Sequence, residues 1–312
     1  SDTNYLYCES GWYNTEDGIA RLGEDTYLRS GHRELYADSL YYDRGRSRGR
    51  AMQNVRMIDT ARSITLTGER TFYQTAPGSS YLTDSALAQQ RNQNDTFYLH
   101  ADTLKNTFDS TGSRLLKGYY GARLYNRQFQ AQADSMVYRT ADSTIYLYQQ
   151  PVMWYENYQL TGQTRRIRTD GGGTIERLII DNDAFIIDKE QGELYNQVKG
   201  QQVTGYFKDN VIRRMRVSGD AEAIYYPTDD ADKYIGINKI KSSIIRVLFE
   251  EQEISAIHFL DKPDATIYPI GSSDPKEFRF PGFLWLTKHR PRKVADLFLP
   301  FELKSTTSNQ QP

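Results

Sequence analysis

The alternation of apolar and polar residues between positions 128 and 163 predicts β-strands rather than helices. From Phe129 to Ala133 every second residue is small or apolar, which is the period-two pattern of a strand with one buried face. After position 134 the apolar positions change parity, beginning with Met136. Because successive side chains of a strand point to opposite faces, this change requires an extra residue or a bend. We therefore predict a bulge or sharp corner at Asp134-Ser135.

The same phrase, a small residue followed by a polar one and an alternating run, recurs along the chain. Copies occur at residues 7–13, 36–42, 82–87, 100–104 and 131–138, with a weaker one at 67–73 and a degenerate one at 161–163. A drifting repeat of short strands is typical of an architecture that stacks one supersecondary unit. The pattern predicts an all-β chain.

Turn residues divide the second half of the chain into further short strands that end near residue 270. Residues 170–173 are glycine-rich but lack the lysine and the strand-to-helix context of a phosphate loop, so they predict a hairpin turn. Lys208, Asp209 and Asn210 lie between two alternating runs and predict another hairpin.

Beyond Gly271 the chain becomes irregular, with prolines interspersed among aromatic residues. We expect residues 1–272 to form one continuous β unit, with a subdivision near residue 165 left open. Residues 273–312 are expected to form a Pro/Phe-rich tail whose last residues are disordered. We predict that segment 278–301 covers the sheet edge at the C-terminal end, and that residues 5–13 leave the other edge open.

Composition favours a thin or elongated fold with much surface per residue. Hydrophobic residues make up 38% of the chain and aromatic residues 13%, including 24 tyrosines. A tyrosine ring can pack against a sheet while its hydroxyl remains in contact with water. The net charge of −1 argues against nucleic-acid binding. No apolar run is long enough for a transmembrane helix. The abrupt start at Ser1 leads us to expect a targeting segment or more repeats before it in the natural chain.

No combination of residues points to catalysis, a metal or a cofactor, so we predict none of these. The four histidines are not in metal-ligand spacing, and the single cysteine, Cys8, occupies a small-residue position of the repeat. The repeated aspartates suit a corner better than calcium, because the glycine-rich calcium-binding nonapeptide is absent. The catalytic carboxylate pair of a carbohydrate-active enzyme is defined by the distance between its two members in space. The sequence does not give that distance, so this class of enzyme stays open as an alternative.

The inward-facing apolar positions of the repeats form a continuous stripe. Small residues along it leave room that a packed core would normally fill, so the stripe predicts either a trough for acyl chains or a filled core. Its members are Leu35, Ala37, Leu40, Tyr42, Leu66, Leu99, Ala101, Leu104, Phe129, Ala131, Ala133, Met136 and Tyr138.

The repeats resemble the OstA-like (LptA-like) family of organic-solvent-tolerance and lipopolysaccharide-transport proteins of the Gram-negative envelope. The repeat phrases that carry the resemblance are LYADSLYY at 35–42, LHADTL at 99–104 and AQADSMVY at 131–138. The C-terminal phrases are GYFKDN at 205–210, SGDAEAIYYP at 218–227, GINKIKSS at 236–243 and FLDKPDATIYP at 259–269. Three copies depart from Ala-Asp, with Cys8-Glu9, Gly68-Glu69 and Gly162-Gln163 in its place. The resemblance covers most of residues 5–290.

This resemblance implies an elongated, twisted β-jelly-roll that stacks end to end and carries the lipid A part of lipopolysaccharide across the periplasm. We therefore expect a non-enzymatic periplasmic protein that binds lipopolysaccharide in an apolar groove and stacks on other jelly-roll components through its edge strands; association with the outer membrane is left open. A structural or adhesive β-repeat protein with a filled core and a carbohydrate-active enzyme remain as alternatives. Lipid A carries phosphate groups, which arginine binds in a bidentate manner. The expected phosphate-binding residues are Arg44, Arg46, Arg48, Arg165, Arg166 and Arg168.

Overall fold

The computed structural model describes residues 5–74, 78–91, 95–251, 253–271 and 274–300, and it is built almost entirely from antiparallel strands. The strands of the first half are β1 Tyr5–Tyr7, β2 Ser10–Asn14, β3 Ile19–Ser30, β4 Arg33–Asp43, β5 Arg48–Asp59, β6 Ile64–Gln74, β7 Ser79–Thr83, β8 Leu87–Arg91, β9 Thr96–His100, β10 Thr103–Phe108, β11 Arg114–Tyr125 and β12 Phe129–Arg139.

The strands of the second half continue the same antiparallel pattern. They are β13 Thr144–Tyr148, β14 Val152–Tyr155, β15 Tyr158–Thr161, β16 Thr164–Thr169, β17 Ile175–Lys189, β18 Tyr195–Lys208, β19 Val211–Tyr225, β20 Ile237–Glu250, β21 Glu253–Leu260 and β22 Asp264–Tyr268. The tail contains the short 3₁₀ helices Pro275–Phe278, Thr287–His289 and Val294–Phe298. The all-β prediction is confirmed.

The strand pairings resolve into two ladders that share the long strands. The first ladder contains β1, β8, β9, β14, β15 and β22, and the second contains β2, β7, β10, β13, β16 and β21. Each long strand gives one half to each ladder. In β12, for example, Phe129–Gln132 pairs with β14, and Ser135–Arg139 pairs with β13.

Each strand pairs with strands close to it in sequence, so the stack lengthens by about 4.8 Å per strand. The two ladders diverge from the corners of the long strands and enclose one apolar core, which runs from Ala37 to Phe249. This is the arrangement of a β-jelly-roll-like fold.

The corners explain the repeated sequence phrase. In the pairing of β11 with β12, Tyr120 and Gly121 stand opposite Asp134 alone, and the register shifts there. Tyr120 and Gly121 both have a φ of 61°, a left-handed conformation that tightens the bend. The N–H of Asp134 donates to the carbonyl of Gln149 on the other neighbouring strand. The corner predicted at Asp134-Ser135 is present, and the extra residue lies on the partner strand.

The same two-against-one arrangement recurs along the stack. Neighbouring pairs of left-handed residues occur at positions 24–25, 53–54, 182–183 and 219–220, each at a register shift. At the corners the small residues contact neighbouring strands directly. A Cβ on Gly68 would lie 2.9 Å from the Leu82 side chain, and one on Gly200 would lie 2.7 Å from Val217. The small residues therefore permit close approach between strands.

Both predicted hairpins are present. Residues 170–174 connect β16 to β17, and the Asp170 carboxylate accepts hydrogen bonds from the backbone N–H groups of Gly172 and Thr174. Asp209 and Asn210 connect β18 to β19 with φ values of 55° and 63°. Two consecutive residues with positive φ match the twist of the flanking strands.

The tail does not cover the C-terminal sheet edge, so that prediction is wrong. All five residues of β22 are exposed. Residues 278–300 instead run back across the outer face of the first ladder, from Gln197 on β18 to Gln159 on β15 and Arg123 on β11. The last residues of the tail, 306–312, which are predicted to be disordered, lie outside the described residues.

Buried side-chain amides on that outer face hold the tail. The Gln197 amide donates to the carbonyl of Phe278 and accepts from the N–H of Phe280, each at 2.9 Å. Gln159 makes the same pair of bonds to Leu284 and Leu286 at 2.6 Å. These side chains satisfy tail backbone groups as a neighbouring strand would. The tail therefore lies on the face that carries these glutamines.

An outer-face apolar cluster adds to these hydrogen bonds. Its members are Phe185, Ile187, Tyr195, Ile224, Tyr226, Ile237 and the tail residue Phe280. Further along, the Arg123 guanidinium donates to the carbonyls of Asp296 and Pro300, at 2.8 and 3.0 Å. The first ladder is consequently covered on both faces in its central and C-terminal parts.

Candidate functional site

The predicted apolar stripe faces the interior between the two ladders. Fully buried members are Ala37, Leu40, Ala101, Leu104, Phe129, Ala131, Ala133 and Met136. Half-buried members are Leu35, Tyr42, Leu66, Leu99 and Tyr138. All but Tyr42 and Tyr138 belong to the main core cluster or pack against it. The structure therefore brings residues from five strands, together with Ala101 between β9 and β10, onto one continuous apolar surface.

This interior is packed in the structure. Ala101, Ala131 and Ala133 have no exposed surface, and Ala133 stands directly opposite Ala122 of the neighbouring strand. A cavity of about 20 Å³ remains in the C-terminal half, between Leu160 and Ile186 on one ladder and residues such as Met215 on the other. The small residues serve the corners, and an acyl chain would enter only if the ladders separated.

The side of the stack away from the corners, where the hairpin turns of the two ladders approach each other, we call the mouth. In the C-terminal half it is closed. The Tyr155 hydroxyl accepts a hydrogen bond from the N–H of Ile212 at 3.1 Å, which joins the first ladder to the second. The ring centroids of Tyr158 and Phe249 lie 6.4 Å apart across the same boundary. Hydrogen bonds and aromatic contacts thus hold the ladders together here.

Five of the six predicted phosphate-binding arginines are exposed or partly exposed on the surface. Arg44 and Arg46 lie in the turn between β4 and β5, and Arg48 begins β5. Arg46 and Arg48 each form an ion pair with the buried Asp43. Arg166 pairs with Asp181, and Arg168 pairs with Glu176. The structure does not bring the two arginine groups together.

Arg165 is the exception, because its side chain points into the interior. It has the same parity in β16 as the core residue Ile167, and its cross-strand neighbours Leu147 and Ile180 are also in the core. Only 2% of Arg165 is exposed, and its Nε and Nη1 atoms make no hydrogen bond. Burial away from water lowers the pKa of the guanidinium to about 9.

Burial of a guanidinium whose Nε and Nη1 atoms lack partners is costly, because the hydration that these atoms lose is not replaced by hydrogen bonds. A ligand with an oxygen acceptor inside the ladders would offset that cost. Arg165 is therefore the one predicted phosphate-binding arginine that could contact a ligand in the interior between the ladders.

Sequence reasoning missed two groups of residues. The buried outer-face residues Gln130, Gln159 and Gln197 support the tail, and a signal for them existed. Runs such as residues 152–155 and 184–187 are apolar at both odd and even positions, and all of their residues are buried. Continuous burial indicates a strand covered on both faces. The second group is a set of arginines at the mouth, in the N-terminal half, described below.

Among the described residues, no group of three or more His, Cys, Asp or Glu side chains could hold a metal ion. Nor does this part of the chain include a helix that is long and apolar enough to cross a membrane. The Asp188 carboxyl group, within the described part of the chain, has a strongly shifted pKa. Burial and the nearby Glu190 raise the pKa of Asp188 to about 6.

The fold and the apolar interior define a two-ladder antiparallel β-repeat protein. Comparison with solved structures finds similarity to LptH of Pseudomonas aeruginosa, described as the LptA homologous periplasmic component of the conserved lipopolysaccharide transport device. That match has 15% sequence identity and a TM-score of 0.35, and covers 46% of this chain and 96% of the LptH chain. No protein-family model and no curated protein matches the sequence.

Proposed function

We propose that this protein binds lipopolysaccharide in the interior between its two ladders and takes part in lipopolysaccharide transport through the periplasm to the outer membrane. The observation that supports this best is the continuous apolar surface formed by the repeat phrases, which are also the residues that resemble the OstA-like family. Acyl chains would lie along the stripe from Leu35 to Tyr138. The proposal involves no catalytic residue and no cofactor.

Because the interior is packed, binding in this proposal requires the ladders to separate at the mouth. The described contacts across the C-terminal mouth are a few hydrogen bonds and ring contacts, whereas the corners are continuous backbone. Opening at the mouth with the corners as a hinge would expose the stripe without breaking a strand pairing. Arg165, close to the corner, would then meet an oxygen acceptor of the bound lipid.

Site-specific photo-crosslinking tests the proposal. A diazirine amino acid at Met136, which is 1% exposed in the interior, should crosslink to lipopolysaccharide. The same amino acid at Leu284, which is 55% exposed on the tail, serves as the control and should not crosslink. Crosslinking from Leu284 alone would contradict binding in the interior.

A structural β-repeat protein with a permanently filled core is the second candidate, and the small volume of the remaining cavity favours it. A reducible linker across the mouth separates the two. In a Cys8→Ser background, cysteines replacing Tyr158 and Phe249 would be bridged by a short bis-thiosulfonate. For a transport protein, we expect the bridge to abolish lipopolysaccharide binding and reduction to restore it. A filled-core protein would bind none before or after reduction.

A further inference from the structure

An open cavity of about 540 Å³ lies at the mouth in the N-terminal half of the stack. It is lined by Ser30, His32, Arg33, Asp59, Ala61 and Arg62, all from the turns and strand ends of the first ladder. The register pairs Arg33 of β4 with Asp59 of β5. The Arg62 guanidinium donates to the Asp59 carboxylate at 2.9 Å. The cavity therefore has two guanidinium groups and one carboxylate on its walls.

Arg33 and Asp59 stand at the outer ends of apolar rows that lead into the core. Every second residue from Arg33 leads to Leu35 and Ala37, and from Asp59 the same spacing leads to Met57 and Val55, which are core or core-packed residues. The charged groups thus lie at the entrance of the stripe proposed to hold acyl chains.

Arg114, on the second ladder, lies at the same part of the mouth as Arg33 and Arg62. It begins β11 and shares its parity with Gly118, which lies against the core residues Ala101 and Leu104. Partial burial lowers the pKa of Arg114, and the positive charges of Arg33 and Arg62 lower it further. The ladders therefore bring three guanidinium groups into electrostatic range of one another. We call Arg33, Arg62 and Arg114 the mouth arginines.

The charges at this part of the mouth are not balanced. The Asp59 carboxylate attracts Arg114, but it already accepts two hydrogen bonds from Arg62. Like charges held close together destabilise the protein unless an anion joins them. In the C-terminal half, by contrast, Tyr155 closes the mouth with neutral hydrogen bonds. The N-terminal mouth is thus suited to an anion that bridges the two ladders.

We propose that the mouth arginines bind the phosphate group of an acylated lipid whose chains occupy the apolar rows behind them. This site rests on the proposed lipopolysaccharide-binding function and adds the residues that hold its phosphate. Arginine binds phosphate oxygens in a bidentate manner. A phosphate held by Arg33 and Arg62 on one ladder and Arg114 on the other would close the mouth over the bound chains.

The test uses a triple variant with Arg33→Gln, Arg62→Gln and Arg114→Gln. Its control carries Arg29→Gln, Arg91→Gln and Arg216→Gln, which remove three exposed charges and change the net charge equally. Affinities would be measured for lipid A, for chemically dephosphorylated lipid A, and for inorganic phosphate. Lysophosphatidic acid and the matching monoacylglycerol form a second pair of probes, one with and one without phosphate, that does not depend on lipopolysaccharide.

We expect the triple variant to lose at least tenfold affinity for lipid A and lysophosphatidic acid, while the control variant keeps wild-type affinity. The dephosphorylated lipid and the monoacylglycerol should bind both triple variants equally. Unchanged affinity of the triple variant for the phosphorylated lipids would overturn the site. Inorganic phosphate that binds as tightly as the lipids would also overturn it, since the acyl chains would then contribute nothing.

The two proposals fail in different ways. If wild-type protein binds lysophosphatidic acid through the mouth arginines but does not bind lipid A, the lipopolysaccharide function is wrong and the phosphate site stands. If lipid A crosslinks to Met136 but binds the triple variant as tightly as wild type, the function stands and the phosphate site is wrong. Binding of neither phosphorylated lipid would refute both.

Discussion

Arg165 shows at the scale of a single residue how function and stability oppose each other. Its guanidinium is buried among Leu147, Ile167 and Ile180 without a carboxylate. Neighbouring Arg166 and Arg168 face the other side of the strand or solvent and pair with acids. A purely structural role would favour an apolar side chain at position 165, because an uncompensated buried charge destabilises the fold.

We expect Arg165→Met to stabilise the protein by about 1–4 kcal/mol, because a methionine of similar length fills the space without a charge. Denaturant unfolding measures this, and the same variant should bind lipopolysaccharide more weakly. Arg168→Met, at an exposed ion pair, is the control and should change stability by less than about 0.5 kcal/mol. A destabilised Arg165→Met would mean that the guanidinium makes a stabilising contact in the fold.

Asp188 gives a pH-dependent prediction. Its pKa is raised from 3.8 to about 6 by burial and by Glu190, so the folded state binds a proton that the unfolded state releases between these values. Stability from this residue is therefore present below pH 4 and is lost as the pH rises through 6. Asp188→Asn, which stays neutral, should be more stable than wild type by about 1–2 kcal/mol at pH 8.

The advantage of Asp188→Asn should disappear at pH 4, where wild-type Asp188 is itself protonated. Asp109→Asn is a control of opposite sign, because turn hydrogen bonds from Thr111 and Ser113 lower the pKa of the Asp109 carboxyl group. That variant should lose stability at neutral pH. Chemical unfolding across pH 4–8 measures both, and an advantage of Asp188→Asn that does not change with pH would exclude titration as its cause.

At the scale of elements, the tail is held by side chains that act as a strand would. Gln159 and Gln197 are buried, and each offers one donor and one acceptor to the tail backbone. Leu297 and Phe280 anchor the tail in apolar surface. The tail therefore stabilises the outer face of the first ladder and leaves the sheet edges unblocked.

The double variant Gln159→Ala and Gln197→Ala should release the central tail, because each change leaves two tail backbone groups without partners, at about 1–3 kcal/mol each. Hydrogen exchange of residues 278–286 should accelerate, while the core strands β17 to β19 keep their protection. Gln201→Ala, at an exposed position, is the matched control. Unchanged exchange in the tail would show that apolar contacts alone hold it.

At the scale of the whole molecule, both ends of the described stack are uncovered and apolar. At one end Tyr5, Leu6 and Trp12 are about half exposed, and at the other Ile254 and Ile267 are 45% and 68% exposed. Unpaired strand edges recruit other strands unless charge or a covering segment blocks them. We therefore expect copies or partner jelly-rolls to join end to end by strand addition.

The variant Ile254→Lys with Ile267→Lys should prevent this assembly, because lysine on an edge strand opposes pairing. Light scattering should show concentration-dependent oligomers for wild type and monomers for the variant. Leu284→Lys, exposed on the tail away from the edges, should oligomerise as wild type does. A strictly monomeric wild type at high concentration would rule out assembly through these edges.

The sequence by itself determined the features that depend on neighbouring residues. Alternation identified the strands, the parity change at position 134 located a corner, and turn residues such as Asp209 and Asn210 located hairpins, because each of these is a local preference of the backbone. The tertiary structure decided which partner each element meets. The tail lies on Gln159 and Gln197 rather than over β22, Arg165 points inward, and Arg114 lies within electrostatic range of Arg33 and Arg62 across the mouth. These outcomes depend on residues far apart in the chain that meet only when the two ladders pack. The apolar runs at 152–155 and 184–187 indicated strands covered on both faces, but a local pattern does not say which segment covers them.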